Sequence, residues 1–79
     1  MRLDKYLKVS RLIKRRTVAN EACDSERVFV NGRPAKASYD VKVGDQLEIH
    51  FGTRTLKIEV LAVAEAVRKD DASAMYKEL

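Results

Sequence analysis

The sequence predicts an α+β domain in which two short amino-terminal helices pack on a small, mostly antiparallel sheet. Three observations support this fold class. Apolar residues recur at helical spacing near the amino terminus, β-branched residues alternate with others from residue 27 onward, and an Asn-Gly dipeptide interrupts that alternating region. A chain of 79 residues with 46% hydrophobic content is expected to fold as one small domain, which leaves little room for a deep catalytic cleft.

The first predicted helix is amphipathic. With a helical spacing of about 100° per residue, one face collects Leu3, Tyr6, Leu7 and Ser10. The opposite arc collects Arg2, Lys5 and Lys8, with Val9 among them. One side of this helix is therefore expected to face the core, and the other to present cations.

A second helix is predicted over residues 16–24. Its small packing face is formed by Ala19, Ala22 and Cys23. Leu12 and Ile13 precede this helix and are expected to anchor the interhelical turn in the core, which would hold the neighbouring cations in fixed positions. Cys23 is the only cysteine, so an internal disulfide cannot form and a cytoplasmic location is favoured.

Alternating strands follow the two helices. Val28 and Val30 lead into Asn31-Gly32, a strong hairpin signal because both turn residues tolerate a positive φ. The later strand residues are expected to be Val41 and Val43, then Leu47, Ile49 and Phe51 after a Gly44-Asp45 turn, and then Leu56, Ile58 and Val60 after a Gly52 turn.

We place the domain at residues 1–63 and a tail at residues 64–79. The composition of the tail suits a helix, so the tail forms either a docked short helix or a frayed end. The residues expected to dock are Ala74, Met75 and Leu79. The apolar runs of the chain are much shorter than a membrane span and no apolar leader is present, so no membrane partner is predicted.

Positive charge is concentrated in the amino-terminal half. Residues 1–36 hold ten Lys and Arg against four Asp and Glu, whereas residues 37–79 hold six against eight. This asymmetry indicates a surface that binds a polyanion. Arg16 opens the second helix, where its charge opposes the helix dipole unless an anion is bound there or a carboxylate such as Glu21 pairs with it.

The sequence offers no catalytic constellation. His50 is the only histidine, the adjacent Asp70 and Asp71 sit in a polar tail without a base, and no nucleophile-elbow, zinc-protease or phosphate-loop motif occurs. Cys23 has no partner at metal-ligand spacing. We therefore predict a protein that is not an enzyme and that holds neither a metal nor a cofactor.

An ordered set of short motifs covers residues 2–51. These motifs are Arg2-Leu3-Asp4-Lys5, a helix begun by Arg16, the run from Val28 to Arg33 and the run from Val41 to Asp45. Each motif alone is weak, but their combination resembles the RNA-binding domain named after small-subunit ribosomal protein four, and it implies the αL-type fold of that family. Among stand-alone members, the chain is most similar to bacterial factors of ribosome-associated quality control, and it also resembles the fifteen-kilodalton heat-shock proteins.

The resemblance implies an RNA-binding adaptor that acts on obstructed large ribosomal subunits. The adaptor would contact large-subunit rRNA and the P-site peptidyl-tRNA, and it would act with RqcH while alanine tails are added to stalled chains without mRNA. We also expect a monomer off the ribosome. Charge and resemblance together give the expected RNA-facing set, which is Arg2, Lys5, Lys8, Arg11, Lys14, Arg15, Arg16, Thr17, Asn31, Gly32 and Arg33.

Two departures from the family pattern qualify the resemblance. Ser25-Glu26 stands where many members have Gly, which leaves the helix exit open, and Asn20 stands where many have Arg, which weakens any contact from the middle of the second helix. Asp4 is expected to orient a neighbouring Arg or to cap the first helix. Three alternatives stay open: a module for structured RNA in ribosome assembly or the heat-shock response, a basic domain that binds acidic protein, and a detached domain of an RNA-modifying enzyme.

Overall fold

A computed structural model describes residues 1–65 and 67–79 of the chain. The elements, in chain order, are α1 (Leu3–Val9), α2 (Arg16–Asp24), β1 (Val28–Val30), β2 (Arg33–Pro34), β3 (Gln46–Phe51), β4 (Arg54–Val60), a 3-10 helix (Lys69–Met75) and β5 (Tyr76–Glu78). The five strands form one antiparallel sheet in the order β2-β1-β3-β4-β5. The predicted fold class is confirmed.

The two helices bury the faces that their periodicity predicts. The buried residues of that face are Leu3, Tyr6 and Leu7 on α1 and Ser10 directly after it. On α2, Ala19 and Cys23 are buried and Ala22 is half-buried, so the small residues allow close packing of the two helices. Ile13 is buried in the turn between the helices and Leu12 packs against the same core, which fixes the position of the turn.

The chain leaves α2 through Glu26, which has a backbone conformation that is typical of glycine. Glu26 has a φ of 57°, in the left-handed region, and its N–H donates to the carbonyl oxygen of Cys23 at 3.1 Å. Arg27 follows and donates its N–H to the carbonyl oxygen of Ala22. The helix therefore ends with the positive φ that glycine usually supplies, although Glu26 carries a side chain there.

One face of the sheet forms the core together with the helices. Its buried residues are Val28, Val30, Leu47, Ile49, Ile58 and Val60. The opposite face is more exposed, and Glu48 on that face pairs with His50 and Lys57. Phe51 lies in β3 as predicted, but its side chain is exposed at the end of the strand rather than buried with Leu47 and Ile49.

The hairpin between β1 and β2 has the predicted two-residue turn. Val30 pairs with Arg33 across it, and the two turn residues have φ values of 52° at Asn31 and 85° at Gly32. Both values lie in the left-handed region that a primed turn requires. The hairpin prediction is confirmed.

Replacement of Gly32 by alanine should destabilise the fold by about 1–2 kcal/mol, because an L residue is strained at this φ. An added Cβ would meet no atom within 4 Å, so the strain comes from the backbone alone. Thermal unfolding measures the effect, with an expected fall in Tm of about 4–8 °C per kcal/mol for a domain of this size. Gly32→Asn is the matched control, since Asn tolerates a positive φ; equal Tm values for the wild type and Gly32→Ala would contradict the turn assignment.

The predicted strand at Val41 and Val43 is wrong. Val41 is buried, but Val43 is exposed, and residues 41–43 belong to no strand. The chain just before them instead meets the start of α1, where the N–H of Leu3 donates to the carbonyl oxygen of Tyr39 at 2.8 Å. Val41 itself donates its N–H to the carbonyl oxygen of Met1 at 2.8 Å, so the alternation here reflects packing against the amino terminus rather than a ladder.

The tail docks on the domain and adds a fifth strand that the sequence did not predict. Met75 is 2% exposed and its carbonyl oxygen accepts a hydrogen bond of 2.8 Å from the hydroxyl of Tyr6. Ala72 is buried as well, whereas Ala74 and Leu79 are exposed, so their predicted docking is wrong. The boundary at residue 63 stays a prediction, and Ala66 of the tail lies outside the described residues. None of the helices formed by the described residues has the length and apolarity needed to cross a bilayer.

Candidate nucleic-acid interface

A nearly buried carboxylate joins the two helices. The side chain of Asp4 is 3% exposed. Its Oδ1 accepts hydrogen bonds from Arg2 Nε at 3.1 Å and from the backbone N–H of Lys5 at 2.8 Å. Its Oδ2 accepts from Arg2 Nη2 at 3.3 Å, Arg16 Nε at 3.4 Å and Asn20 Nδ2 at 3.3 Å. We call these four residues, Arg2, Asp4, Arg16 and Asn20, the Asp4 cluster.

The Asp4 carboxylate stays ionised because its donors outweigh its burial. Burial by itself raises the pKa of Asp4, but hydrogen bonds from Arg2, Asn20 and the Lys5 N–H, together with the charge of Arg16, bring the pKa below its ordinary value. The hydrogen bond and the charge of Asp4 in turn raise the pKa of Arg2. The cluster thus holds a fixed negative centre beneath two cations.

Both guanidinium groups remain accessible while Asp4 holds them. The side chain of Arg2 is 51% exposed and that of Arg16 is 47% exposed. Each one therefore keeps donors that are free to meet an incoming anion, since a guanidinium carries five N–H donors. One arginine lies directly before α1 and the other opens α2. Such a pair, fixed by one carboxylate, suits the recognition of phosphates at a set spacing.

Asp4, rather than Glu21, is the carboxylate that pairs with Arg16. The pairing offsets the unfavourable position of Arg16 at the positive end of α2. Arg15, the residue that precedes α2, makes no side-chain cap on the helix start. Arg16 and Thr17 line a shallow surface depression with Asp4, Asn20 and Glu21, so the start of α2 and the Asp4 cluster form one continuous surface.

The remaining cations of the expected set differ in their surroundings. The exposed ones around the interhelical turn are Lys8, Arg11, Lys14 and Arg15. Lys5 is half-buried and pairs with Glu65, whose pKa is lowered by that hydrogen bond and charge. Lys5 is therefore engaged within the protein, whereas the turn cations face solvent.

The hairpin residues of the expected set are also placed unequally. The side chain of Asn31 donates from Nδ2 to Asp45 Oδ1 at 3.3 Å and accepts at Oδ1 from the backbone N–H of Gln46 at 3.0 Å. Both ends of this amide thus bind the turn before β3. Gly32 and Arg33 are exposed next to it, so Arg33 is the hairpin residue with a free functional group on the surface.

Asn20 is the site residue that sequence reasoning missed. It lies outside the expected RNA-facing set, yet its amide donates to the same Asp4 oxygen as Arg16. Arg16 and Asn20 lie four residues apart and therefore on one face of α2. This spacing was the sequence signal that could have placed Asn20 beside Arg16. No sequence pattern reveals the acceptor, which is the buried Asp4 carboxylate on α1.

The surroundings of Cys23 and His50 indicate structural rather than chemical roles for these two side chains. Burial, followed by the charges of Asp4 and Asp24, raises the pKa of Cys23 to about 11, so the thiol is neutral at physiological pH. His50 Nε2 lies 2.9 Å from Glu48 Oε2 on the open face of the sheet. Within residues 1–65 and 67–79, no three His, Cys, Asp or Glu side chains group as metal ligands.

Comparisons with known proteins identify similar sequences. The family model described as S4 domain matches residues 1–47. The chain is 57% identical over 77 residues to the RQC P-site tRNA stabilizing factor of Streptococcus pneumoniae, covering 98% of this chain and 88% of that protein. It is 51% identical over 76 residues to the factor of the same name from Bacillus subtilis, covering 96% and 88%. It is also 33% identical over 79 residues to the Heat shock protein 15 homolog of Haemophilus influenzae, covering 99% and 60%.

Two solved structures share the fold over the full length of the chain. Heat Shock Protein 15 of Vibrio cholerae, solved as a trimeric structure, matches with a TM-score of 0.93 and 30% identity, covering 100% of this chain and 81% of that one. The solution structure of the hypothetical protein HP1423 matches with a TM-score of 0.84 and 32% identity, covering 100% and 96%.

Proposed function

Because this chain belongs to the S4 domain family and to its RQC P-site tRNA stabilizing factors, we propose that it binds obstructed large ribosomal subunits as an adaptor of ribosome-associated quality control. The family resemblance predicted from the sequence is confirmed. The family consists of RNA-binding factors rather than enzymes. On the subunit the adaptor contacts large-subunit rRNA and stabilises the P-site peptidyl-tRNA. It does so while an alanine tail is added to the stalled chain.

The observation that carries this proposal is the Asp4 cluster. Arg2 directly precedes α1 and Arg16 opens α2. The two arginines share one nearly buried carboxylate, and about half of each side chain is exposed. A surface that recognises folded RNA needs cations at fixed positions, because the phosphates of a folded RNA lie at fixed spacings. A flexible basic tail would bind RNA less selectively than this arrangement.

The RNA-facing surface extends from the cluster to the neighbouring cations. We propose that it comprises all eleven expected positions, namely Arg2, Lys5, Lys8, Arg11, Lys14, Arg15, Arg16, Thr17, Asn31, Gly32 and Arg33. Within this set, Lys5 would exchange Glu65 for a phosphate, and Asn31 would shape the hairpin rather than donate to RNA. Contacts to about five phosphates should give a log–log salt slope of about −3.5.

The partners follow from the same proposal. They are the large ribosomal subunit, its rRNA, the P-site tRNA and RqcH, which brings alanyl-tRNA for tailing. The location is cytoplasmic, where stalled subunits occur. Off the ribosome we propose a monomer, and sedimentation of the free protein tests this against the trimer described for the Vibrio cholerae relative.

Replacement of Arg16 by alanine should weaken RNA and ribosome binding about tenfold, the effect of one charge-assisted hydrogen bond. The salt slope should become shallower by about 0.7 to 0.9. Thermal stability should change by less than about 1 kcal/mol, because the Arg16 side chain is half exposed and ion pairs of this kind contribute little. Gradient sedimentation of tagged protein from cell lysate measures the binding.

Arg54→Ala is the matched control for this experiment. Arg54 is an exposed arginine that opens β4 and takes no part in the Asp4 cluster. Enrichment of wild type and Arg54→Ala on large subunits that carry peptidyl-tRNA, lost in Arg16→Ala, is the expected result. Wild-type protein that stays at the top of the gradient at low salt would refute the ribosomal proposal. Binding to other structured RNA instead would favour a heat-shock role, the alternative suggested by the likeness to Heat Shock Protein 15.

A further inference from the structure

A second surface depression is lined by residues between 30 and 39. It has a volume of about 670 Å³ and lies between the β1–β2 hairpin and the segment that follows β2. The residues that give it its chemistry are Arg33, Pro34, Lys36, Ser38 and Tyr39. Its size falls in the range of sites that hold one small organic molecule.

The lining of this depression matches the parts of one nucleotide. Arg33 and Lys36 are exposed cations suited to a phosphate, and Ser38 offers a hydroxyl for a ribose or base edge. Pro34 and the half-buried ring of Tyr39 supply apolar surface for a base. Single-stranded RNA is commonly recognised by this combination of cations with an aromatic surface.

The depression is rigid because its walls are tied to the fold. The hydroxyl of Tyr39 donates to Asp45 Oδ2 at 3.0 Å, and burial followed by this hydrogen bond raises the pKa of Tyr39, so it stays a neutral donor. The carbonyl oxygen of Tyr39 accepts from the N–H of Leu3, and that of Ala37 accepts from the N–H of Asp4 at 3.2 Å. The segment is thus held at the start of α1, which directly follows Arg2.

The nearest acidic groups have partners of their own. Asp45 accepts hydrogen bonds from Tyr39, from Asn31 and from the backbone N–H of Lys42 at 3.0 Å. Asp40 pairs with the amino-terminal ammonium group at 2.6 Å. These pairings leave the charge of Arg33 and Lys36 available to an incoming anion.

We propose that this depression binds one unstacked nucleotide of the RNA, with its phosphate on Arg33 and Lys36 and its base against Pro34 and Tyr39. The inference rests on the proposed function, since it adds a subsite for an unpaired nucleotide to a surface that otherwise reads the RNA backbone. It predicts a preference for RNA that carries an unpaired nucleotide over RNA that is fully paired.

The test compares two RNA probes, a short single-stranded oligouridine and a blunt-ended, fully paired RNA duplex, by fluorescence anisotropy. Lys36→Ala should weaken oligouridine binding and make its salt slope shallower by about 0.7. Tyr39→Leu should weaken it about fivefold or more through lost base packing. Tyr39→Phe keeps the ring but loses the hydrogen bond to Asp45, so its loss of binding should be clearly smaller than that of Tyr39→Leu. Binding of the paired duplex should be nearly unchanged in all three variants.

Lys77→Ala is the matched control, because Lys77 is an exposed lysine on β5 that lines neither depression. If Lys36→Ala and Lys77→Ala bind oligouridine equally well, the subsite is refuted. Equal oligouridine binding by Tyr39→Leu and Tyr39→Phe, with both folded by thermal unfolding, would refute the base contact. If Arg16→Ala still loses binding to the paired duplex in that case, the proposed function stands without the subsite.

Discussion

Replacement of Asp4 by alanine is expected to lower the free energy of unfolding by about 2 kcal/mol and to reduce RNA affinity at least as much as Arg16→Ala. The lost carboxylate accepts five hydrogen bonds, four of them from the side chains of Arg2, Arg16 and Asn20. The stability loss stays moderate because both guanidinium groups are half exposed and regain water. The binding loss is larger than a single deletion because two cations lose their fixed position together.

Denaturant unfolding and RNA binding measured on the same samples check both effects. Asp4→Asn keeps the size of the side chain and one acceptor oxygen, so it should fall between the wild type and Asp4→Ala in stability. Asp24→Ala is the control, because Asp24 is an exposed carboxylate at the other end of α2. If Asp4→Ala matched Asp24→Ala in both measurements, the cluster would have no positioning role.

The same carboxylate gives the stability a definite pH dependence. The pKa of Asp4 in the folded protein lies below its ordinary value of 3.8, so ionised Asp4 favours the folded state. Its contribution is complete above pH 3.8 and disappears as the pH falls through the lower folded pKa. The stability difference between the wild type and Asp4→Ala should therefore be constant near neutral pH and should shrink below pH 3.8, as unfolding measured across the acid range would show.

Replacement of Met75 by alanine should cost about 2–4 kcal/mol of stability, the usual range for truncation of a buried methionine. Met75 is 2% exposed and belongs to the main hydrophobic core, although it lies near the end of the chain. A loss of this size lowers the Tm by about 4–8 °C per kcal/mol, which thermal unfolding measures directly. Such a loss would mean that the tail contributes to the free energy of unfolding of the domain.

Leu79→Ala is the control for the tail, since Leu79 is 56% exposed and should change stability by less than about 0.5 kcal/mol. Comparison of Met75→Ala with Leu79→Ala distinguishes a docked tail from a frayed one. A Met75→Ala variant as stable as Leu79→Ala would mean that the tail leaves the core in solution.

The sequence predicts most of the fold because its strongest signals are local. The bounds of α2 follow from periodicity, and Asn31-Gly32 predicts its hairpin because the positive φ values are a property of those two residues. Val41 and Val43 mislead because alternation cannot distinguish a strand from a loop that buries one residue against the amino terminus. Strand β5 was missed for a related reason: a three-residue edge strand is defined by its partner β4, not by its own composition.

The candidate site could be predicted only in part. Its cations are visible in the sequence, and the role of Asp4 in orienting arginine was expected from the residue itself. The sequence does not reveal that Asp4 serves both helices at once, because contacts between Asp4 and Asn20 join residues on separate elements. The pairing of Lys5 with Glu65 is likewise a contact between distant parts of the chain, and no local pattern encodes it.

The hydrogen bond from Tyr6 to Met75 has a consequence for how the protein is made. Synthesis runs from the amino to the carboxyl terminus, so the carbonyl group that accepts from the Tyr6 hydroxyl is made 69 residues after Tyr6. Strand β5 is translated after β4, and only then does β4 gain its second neighbour. Helix α1 therefore completes its packing only after Met75 has been translated, and a chain that stops before Met75 should lack the finished packing next to Arg2.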